Sequence, residues 1–315
     1  PLAEVDNLRR LSVLGSGGVT RERASFSMRD INASQYSRIC PVRSPEGQNI
    51  GLVTYLALYS RVNKYGFLEA PYYRVVEEKN KMKVTDEIVY MAADEEEEYK
   101  ITHAGVNVDA QGYISQDWVP FRFQNQFVEG PVNQVQFIDV VSRQVVGTSA
   151  SLIPFLANDE ANRALMGSHM QCQAVPLVKA EAPVVGTGME EAVSSAMNRT
   201  IYALHSGEVI YVDGQRLEIK LNKSDLKQAQ KMHASAQIEN VQLQDDKEVY
   251  SIHKFVRTSQ STSYSQKPMV SVGDKVKQGD LIIDGPASVG GELALGTNLM
   301  IAYASFDGLG YEDAI

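Results

Sequence analysis

Cysteine and long apolar runs are scarce in this sequence. Its two cysteines, Cys40 and Cys172, lie far apart, which excludes a cysteine-based zinc site and favours a reducing compartment. No run of eighteen apolar residues occurs, and the first residues do not join a basic region to an apolar one. Neither a membrane span nor a signal peptide is therefore predicted. We expect a cytoplasmic protein with no membrane partner.

The composition is that of a globular protein. The 315 residues are 43% hydrophobic and 22% charged, which is enough for two or three domains with cores of their own. The sequence opens at Pro1 without an initiator Met and stops at Ile315 in an apolar context. We therefore expect it to be a segment of a longer polypeptide.

Acidic residues outnumber basic ones, but the excess is local. The net charge is −9, and residues 77–98, with nine acidic residues and three lysines, account for −6 of it. The first fifty residues instead hold seven arginines against five acidic residues. Arginine binds phosphate through two parallel donors, so this part is suited to a polyanion. The alternative is an ordinary ion-pair network beside a solvated acidic loop, and we interpret residues 94–98 as such a loop.

The periodicity predicts an α+β fold, a mixed, strand-rich segment of several modules with a few short helices. A helix is predicted to begin at Ser44 and to end near Gly66, because Ile50, Val53 and Ala57 recur at helical spacing. A second helix is predicted over residues 160–173. Short strands are predicted over residues 72–76, 88–91, 119–123 and 135–141, with turns at 111–112 and 129–131.

The first motif is a glycine turn followed by arginines, at residues 14–23. Three glycines in four residues allow backbone conformations that are closed to other residues. An extended segment after the turn would place Arg21 and Arg23 on one face, where both could bind phosphate. The alternative is a turn followed by a strand with a surface pattern of charges. The motif alone does not decide between the two.

The second motif, residues 158–173, contains this second predicted helix. Asn158 or Asp159 would be its N-cap. Three residues would then share one face: Arg163, Met166 and Met170. Gly167 beside them leaves room for a ligand, so that a cation would lie next to soft apolar contacts. Methionines at helical spacing are also common in cores, and this alternative stays open on the pattern alone.

The third motif is a pair of Gly-Asp turns at residues 271–281, which predicts a β-hairpin. A hairpin of this kind also occurs in biotinyl or lipoyl carrier domains. Those domains need a lysine at an exposed hairpin tip, and residues 282–291 contain none. The carrier interpretation is therefore disfavoured.

Together the motifs resemble the beta subunit of the bacterial multisubunit RNA polymerase. The resemblance rests on the order RRLS, glycine turn, TRER, SPEG and NIGL near the start and on ANRALMG at residues 161–167. It spans residues 1–315 and is weakest over residues 67–149. It implies a fork-like region with rifamycin-pocket motifs at 1–70, an external, acidic, strand-rich module at 71–149, and at 150–315 a substrate-site helix and the first part of a hybrid-binding, β-rich domain.

The resemblance also implies roles for single residues. Arg163 would reach the triphosphate of an incoming nucleotide, and Met166 would lie against the same substrate site. Arg21 and Glu46 would lie close to the active centre, with Pro45 shaping their loop and contacting substrate. We therefore expect Arg163 and Glu46 to take part in catalysis.

A pair of carboxylates near the end is a further catalytic candidate. Glu312 and Asp313 could lie near a hydrated, second magnesium, while the tightly bound magnesium would be held by the partner large subunit. The chain itself is expected to hold no metal directly. Within the second motif, His169 stands where the family usually has Asn and Cys172 where it usually has Arg. The loss of that Arg either weakens the local positive charge or is compensated elsewhere.

A rifamycin pocket is implied by the first motifs. Six residues match positions that line it in the family: Asn7, Arg10, Ser12, Leu14, Asn49 and Val53. Sensitive members usually carry His where this chain has Asn7. We therefore expect reduced sensitivity to rifamycins.

The resemblance implies that the chain contributes to DNA-templated RNA synthesis, a nucleotidyl transfer reaction. It also implies a location in the cytoplasm, at the nucleoid. The implied partners are the DNA template and the RNA-DNA hybrid, nucleoside triphosphates, and the beta-prime, alpha, omega and sigma subunits. The isolated segment is expected to be inactive. The alternative is a non-catalytic module, derived from this subunit, that binds nucleic acid or polymerase subunits.

Overall fold

The computed structural model describes residues 2–78, 81–235, 240–258 and 260–304. The chain divides into two compact units, an N-terminal unit of Leu2–Gln173 and a C-terminal unit that begins at Ala174. Both are rich in short strands, and the few helices are short. The predicted fold class is therefore confirmed. No helix of the described ranges is long and apolar enough to cross a membrane.

The N-terminal unit contains a strand pair and a larger mixed sheet. Its helices are α1 (Leu2–Leu8), α2 (Phe26–Arg29), α3 (Ala93–Glu96) and α4 (Ala161–Cys172). Its strands are β1 (Arg10–Ser12), β2 (Val53–Tyr55), β3 (Arg61–Val62), β4 (Leu68–Glu78), β5 (Lys81–Met91), β6 (Ile101–Thr102), β7 (Trp118–Phe123), β8 (Gln126–Pro131) and β9 (Phe137–Asp139). Short 3-10 turns lie at Arg21–Arg23, Ala33–Gln35, Gly47–Asn49, Val132–Gln134, Ser142–Val145, Ala150–Leu152 and Leu156–Asn158.

The larger sheet has the order β3-β4-β9-β6-β7-β8, with β5 paired to β4. Its pairs are antiparallel except β6 with β9, which run parallel. In β7 the buried Val119 and Phe121 alternate with less buried residues, whereas β4 buries three consecutive residues, Ala70, Pro71 and Tyr72. Tyr72, Ile101 and Phe137 form one buried cluster, and Val119 and Phe121 belong to another.

Three of the predicted strands are confirmed, since residues 72–76, 88–91 and 119–123 lie within β4, β5 and β7. Of residues 135–141 only Phe137–Asp139 forms a strand. The turn at 111–112 is confirmed by a hydrogen bond from the Gly112 N–H to the Asp109 carbonyl (3.0 Å). The turn predicted at 129–131 is wrong, because those residues pair with β7. The β7–β8 hairpin instead turns at Gln124 and Asn125, which both have positive φ angles.

The helix predicted between Ser44 and Gly66 is also wrong. The chain makes a 3-10 turn at Gly47–Asn49 and then strand β2, which pairs with β1. Gly51 has a φ of +73°, outside the helical region, so the segment cannot continue as a helix. Val53 and Tyr55 are buried and alternate along β2 rather than following a helical face.

The acidic run at residues 94–98 is not a simple exposed loop. It begins in α3, and the Glu96 side chain is only 11% exposed. Its carboxylate forms ion pairs with Arg38 and Arg122. The prediction of a solvated loop is therefore wrong for this residue, which the chain fold buries against two arginines.

The C-terminal unit is built from small antiparallel sheets. Its helices are α5 (Glu190–Ala196) and α6 (Leu226–Ser235). Its strands are β10 (Ile201–Tyr202), β11 (Gly207–Val212), β12 (Arg216–Leu221), β13 (Val241–Gln244), β14 (Lys247–Ser251), β15 (Val256–Arg257), β16 (Ser263–Tyr264), β17 (Lys267–Pro268), β18 (Lys275–Val276), β19 (Leu281–Asp284), β20 (Ser288–Val289) and β21 (Glu292–Leu293). One sheet has the order β13-β14-β12-β11-β18 and another the order β10-β19-β17.

The hairpin predicted at residues 271–281 is wrong in its pairing. The two Gly-Asp turns do form, with Gly273 and Gly279 at positive φ angles, and Asp274 and Asp280 accept hydrogen bonds from backbone N–H groups three residues earlier. The flanking strands, however, do not pair with each other. Strand β18 pairs with β11, and β19 pairs with β10 and β17.

A buried carboxylate lies inside the C-terminal unit. Glu248 on β14 is fully buried, and its Oε1 lies 2.8 Å from His205 Nδ1 and 3.2 Å from His233 Nε2. The Tyr250 hydroxyl donates to Oε2 at 2.7 Å. Because His233 lies on α6 and Glu248 on β14, these contacts connect α6 to the sheet. Loss of one polar atom from such a buried network would leave its partners unpaired.

Candidate functional site

The strand pair β1–β2 brings several of the predicted drug-pocket residues together. Ser12 lies opposite Val53 in the pair, and Arg10 lies opposite Tyr55. Arg10 and Ser12 are exposed, whereas Val53 is buried. Asn7 is exposed near the end of α1. Leu14 and Asn49 are half-buried on the segments that follow β1 and precede β2.

The glycine turn after β1 depends on close backbone approach. The Gly18 N–H donates to the Gly15 carbonyl (3.0 Å), and the Val19 N–H donates to the Val13 carbonyl (2.9 Å). A Cβ on Gly18 would lie 2.2 Å from the Val13 carbonyl oxygen, so no larger residue fits there. The turn thus reverses the chain and leads it into the arginine segment.

Arg21 and Arg23 lie in a 3-10 turn, not in the extended segment that the sequence predicts. Both are exposed. The Arg21 Nε donates to the Asn49 Oδ1 at 2.7 Å. One hydrogen bond therefore joins the arginine motif to the loop that follows Pro45 and Glu46.

Arg29 reinforces this connection, and the sequence analysis did not identify it as a functional residue. Its Nη1 donates to the carbonyl oxygens of Gln48 (2.8 Å) and Ile50 (2.9 Å), and its Nη2 donates to the Arg21 carbonyl (3.4 Å). The backbone of Gly51 packs so closely that a Cβ there would lie 2.4 Å from the Arg29 carbonyl oxygen. In the sequence, Arg29 could be noticed only as one of seven arginines in a basic segment.

The loop of residues 44–50 is closed by Ser44, which does not cap a helix. Its Oγ accepts a hydrogen bond from the Gly51 N–H (3.1 Å) and donates to the Val53 carbonyl (3.3 Å). Pro45 is half-buried, and Glu46 is exposed. The Glu46 carboxylate is thus accessible at the start of the 3-10 turn.

The predicted second helix is confirmed as α4, but its cap is Glu160 rather than Asn158 or Asp159. The Glu160 carboxylate accepts from the Arg163 N–H at 3.2 Å. Glutamate reaches the same amide as a shorter cap residue would, and its charge suits the positive end of the helix. The residues before it instead form a 3-10 turn, Leu156–Asn158.

The face of α4 that carries Arg163 points away from the core. Ala164, Leu165 and Ser168 are buried, whereas Arg163 is exposed and Met166 is half-buried. The Arg163 Nη1 lies 3.7 Å from the Met166 Sδ, so the two side chains do share a face. Met170 is 64% exposed. The alternative of a core position is therefore wrong for Met170, whereas Met166 is half-buried.

A cleft lies between residues of the 29–54 segment and the start of α4. Its volume is about 210 Å³. One side is formed by residues of the arginine segment and its loop, among them Arg29, Ser44, Ile50 and Gly51. The other side is formed by the first turns of α4, through Ala161, Asn162 and Leu165. Arg29 also donates to the Arg21 carbonyl, but Arg21, Glu46 and Arg163 are not among the residues that line the cleft.

Glu312 and Asp313, the paired carboxylates of the sequence analysis, lie outside the described residues. Within the described ranges, no group of three His, Cys, Asp or Glu side chains is placed to hold a metal ion. The roles of the single site residues in substrate binding and catalysis remain predictions.

A second polar cluster in the N-terminal unit was not predicted at all. Arg38 Nη1 lies 2.6 Å from Glu96 Oε2, and Arg122 Nη2 lies 3.5 Å from Asp139 Oδ1. The Tyr36 hydroxyl donates to Asp139 Oδ2 at 2.8 Å. Burial raises the pKa of Asp139 even though the Arg122 guanidinium opposes that shift. The cluster joins residues as far apart as Tyr36 and Asp139, 103 positions along the chain, which no local pattern can reveal.

Family models match three parts of the chain. The model described as RNA polymerase Rpb2, domain 3, matches residues 1–62, and that of the RNA polymerase beta subunit external 1 domain matches residues 72–141. The model of RNA polymerase Rpb2, domain 6, matches residues 203–315. The chain is thus related to the large subunits of multisubunit RNA polymerases.

Relatives narrow the class to one subunit. The chain is 47% identical to the DNA-directed RNA polymerase subunit beta of Rhizorhabdus wittichii and to that of Paracoccus denitrificans, and 44% identical to that of Bartonella henselae. Each comparison covers 100% of this chain. The chain belongs to the bacterial RNA polymerase beta-subunit family. It spans about a fifth of the length of these relatives (20% or 21%).

Proposed function

We propose that this chain contributes to DNA-templated RNA synthesis as part of an RNA polymerase beta subunit. In this role it lines the channel for DNA and the RNA-DNA hybrid and binds the incoming nucleoside triphosphate. The observation that carries the proposal is the cleft between the loop of residues 44–51 and the first turns of α4. Arg163 on α4 and Arg21, which donates to Asn49 of this loop, are both exposed, and they lie outside the lining of the cleft.

Nucleotidyl transfer creates negative charge on the phosphates, and guanidinium groups stabilise such charge through paired hydrogen bonds. Arg163 is suited to this task because α4 is rigid and its buried face fixes the helix. Met166 would offer an apolar contact to the substrate, and Glu46 an exposed carboxylate on the loop that precedes β2. Pro45 restricts the backbone before Glu46.

The full activity depends on further chains. We infer that the beta-prime, alpha, omega and sigma subunits complete the enzyme, in the cytoplasm at the nucleoid. Magnesium would be held mainly by the partner large subunit. This chain would hold no metal directly. The chain alone is expected to be inactive.

The test uses polymerase assembled with a full-length beta subunit that carries this segment. Arg163→Met should raise the KM for nucleoside triphosphates by roughly ten- to a hundredfold, because a charge-assisted hydrogen bond is lost. Arg143→Met is the matched control, since Arg143 is an exposed arginine of the same unit in the Ser142–Val145 turn. Equal KM values in the two variants would contradict the proposal.

A further inference from the structure

Asp6 on α1 lies at the centre of a buried polar cluster that the proposed function does not use. Its side chain is 3% exposed, and its Oδ2 accepts from Arg43 Nε (3.0 Å) and Nη2 (2.9 Å). The Cys172 thiol donates to the same oxygen at 3.4 Å, and the Ser149 hydroxyl donates to Oδ1 at 3.4 Å. Four separate segments therefore meet at one carboxylate.

Arg43 is the cation that pairs directly with Asp6, and the half-buried Arg9 adds a second positive charge nearby. Arg43 is only 5% exposed, and its guanidinium lies 4.7 Å from the centre of the Tyr55 ring. Asp6 and Arg43 neutralise each other, and removal of either would leave the other charge buried and unpaired. Arg43 Nη1 is buried without a hydrogen-bond partner among the described residues. The ion pair with Asp6 thus stabilises the buried Arg43 guanidinium, although one of its N–H groups costs free energy because it lacks a hydrogen-bond partner.

Position 172 is neutral in this chain. Burial and the neighbouring Asp6 raise the pKa of the Cys172 thiol to about 12, so that it stays protonated and donates to the carboxylate. The resemblance places an Arg at this position in the family. A guanidinium there, together with Arg43, would set two buried cations against one carboxylate.

The location of the cluster connects it to the candidate site. Cys172 is the last residue of α4, and Arg163 is the third residue of the same helix. Helix α1, which carries Asp6, packs against α4. A helix of this length behaves as a rigid rod, so a shift at one end changes the direction of the other.

We propose that Asp6 and Arg43 are a positioning pair that fixes the end of α4, and that Arg43 supplies from another segment the cation that position 172 lacks. The pair acts on substrate only through α4 and Arg163, so the inference rests on the proposed function. Arg43 then compensates for the missing Arg at position 172, because it supplies the positive charge from another segment. The local positive charge is therefore kept.

The experiment is a charge exchange in the assembled polymerase with the full-length subunit. Arg43→Met and Cys172→Arg, each alone, should raise the KM for nucleoside triphosphates about tenfold, because α4 loses its fixed end. The double variant should return to within about threefold of the starting KM, since the new guanidinium pairs with Asp6. Cys172→Ser, which stays neutral and keeps a donor, should change the KM by less than about twofold.

Several outcomes separate the possibilities. A double variant no better than the worse single variant would overturn the exchange. If Arg43→Met prevents assembly, Arg43→Lys keeps the charge, loses the two-donor contact and should raise the KM about threefold. A lowered Tm with unchanged KM in either variant would mean that the pair is merely structural. An unchanged KM in Arg163→Met would overturn the proposed function itself, whereas a raised KM there with an unchanged KM in Arg43→Met overturns only the positioning role.

Discussion

Two arginines share the Glu96 carboxylate. Arg38 and Arg122 approach it from different segments, and the Tyr72 hydroxyl donates to its Oε2 at 2.8 Å. All four side chains are largely buried. Their charges are therefore stabilised by one another and not by hydration. Glu96 therefore fixes α3 against the main sheet of the N-terminal unit.

Glu96→Gln tests this dependence. The amide keeps the shape but leaves two buried guanidinium groups without their shared anion, so we expect the free energy of unfolding to fall by about 3–5 kcal/mol. Urea unfolding of the chain measures the change. Glu98→Gln, in the same acidic run but exposed, should change it by less than about 0.5 kcal/mol. Similar losses in both variants would show that only net charge matters.

Arg29 gives a second prediction for a single residue. Arg29→Met removes the donors to Gln48 and Ile50, each a charge-assisted hydrogen bond, and should destabilise the loop locally by about 1–2 kcal/mol. Amide hydrogen exchange at residues 48–52 should then become roughly tenfold faster. Arg23→Met removes an exposed arginine of the neighbouring turn and should leave these amides unchanged. Unchanged exchange in Arg29→Met would mean that Ser44 and Gly51 hold the loop by themselves.

At the scale of elements, α5 begins with a carboxylate that stabilises its own first turn. The Thr187 N–H donates to Glu190 Oε1 at 2.8 Å. Burial would raise the pKa of Glu190, but hydrogen bonds from the backbone at Thr187 and its neighbours outweigh it and lower the pKa. A lowered pKa means that the ionised form stabilises the folded state.

The pH dependence of Glu190→Gln follows from that shift. The stabilisation is complete above the pKa of the unfolded chain, which is near 4.5, and disappears as the pH falls through the lower folded value. We expect the variant to lose about 1 kcal/mol at pH 7, and we expect this loss to shrink as the pH falls below 4.5. Glu191→Gln, exposed on the same helix, should show no such difference. A loss that persists at low pH would point to packing instead of charge.

Elements with a strong local pattern were predictable from the sequence, and those that depend on distant partners were not. Strands β4, β5 and β7 and helix α4 follow from alternation or helical spacing over several residues. Residues 44–66 also have helical spacing, but β1 offers a pairing partner and Gly51 breaks the helical path. The strands at 275–284 pair with strands that lie earlier in the unit, and no local pattern indicates such distant partners.

The candidate site shows the same division. Its motifs could be recognised through the resemblance to a known family, and the shared face of Arg163 and Met166 follows from helix geometry. The contacts of Arg29 and of the Asp6–Arg43 pair could not, since their partners lie many residues away along the chain. Only the folded chain shows that Ser44 closes a loop and does not start a helix.

At the scale of the whole molecule, the two units should unfold as separate cooperative transitions, because each has its own core. Each core also contains a buried carboxylate, Glu96 in one unit and Glu248 in the other. Glu248→Gln takes the anion away from His205 and His233 and should cost the C-terminal unit about 3 kcal/mol.

Calorimetry of the matched pair of variants tests this division. For units of this size, about 3 kcal/mol lowers Tm by roughly 6–12 °C. Glu96→Gln should shift one transition and Glu248→Gln the other, with the unshifted transition serving as the internal control in each case. If both variants shifted a single common transition equally, the chain would fold as one cooperative body, and a change in the C-terminal unit could then alter the candidate site in the N-terminal unit through stability alone.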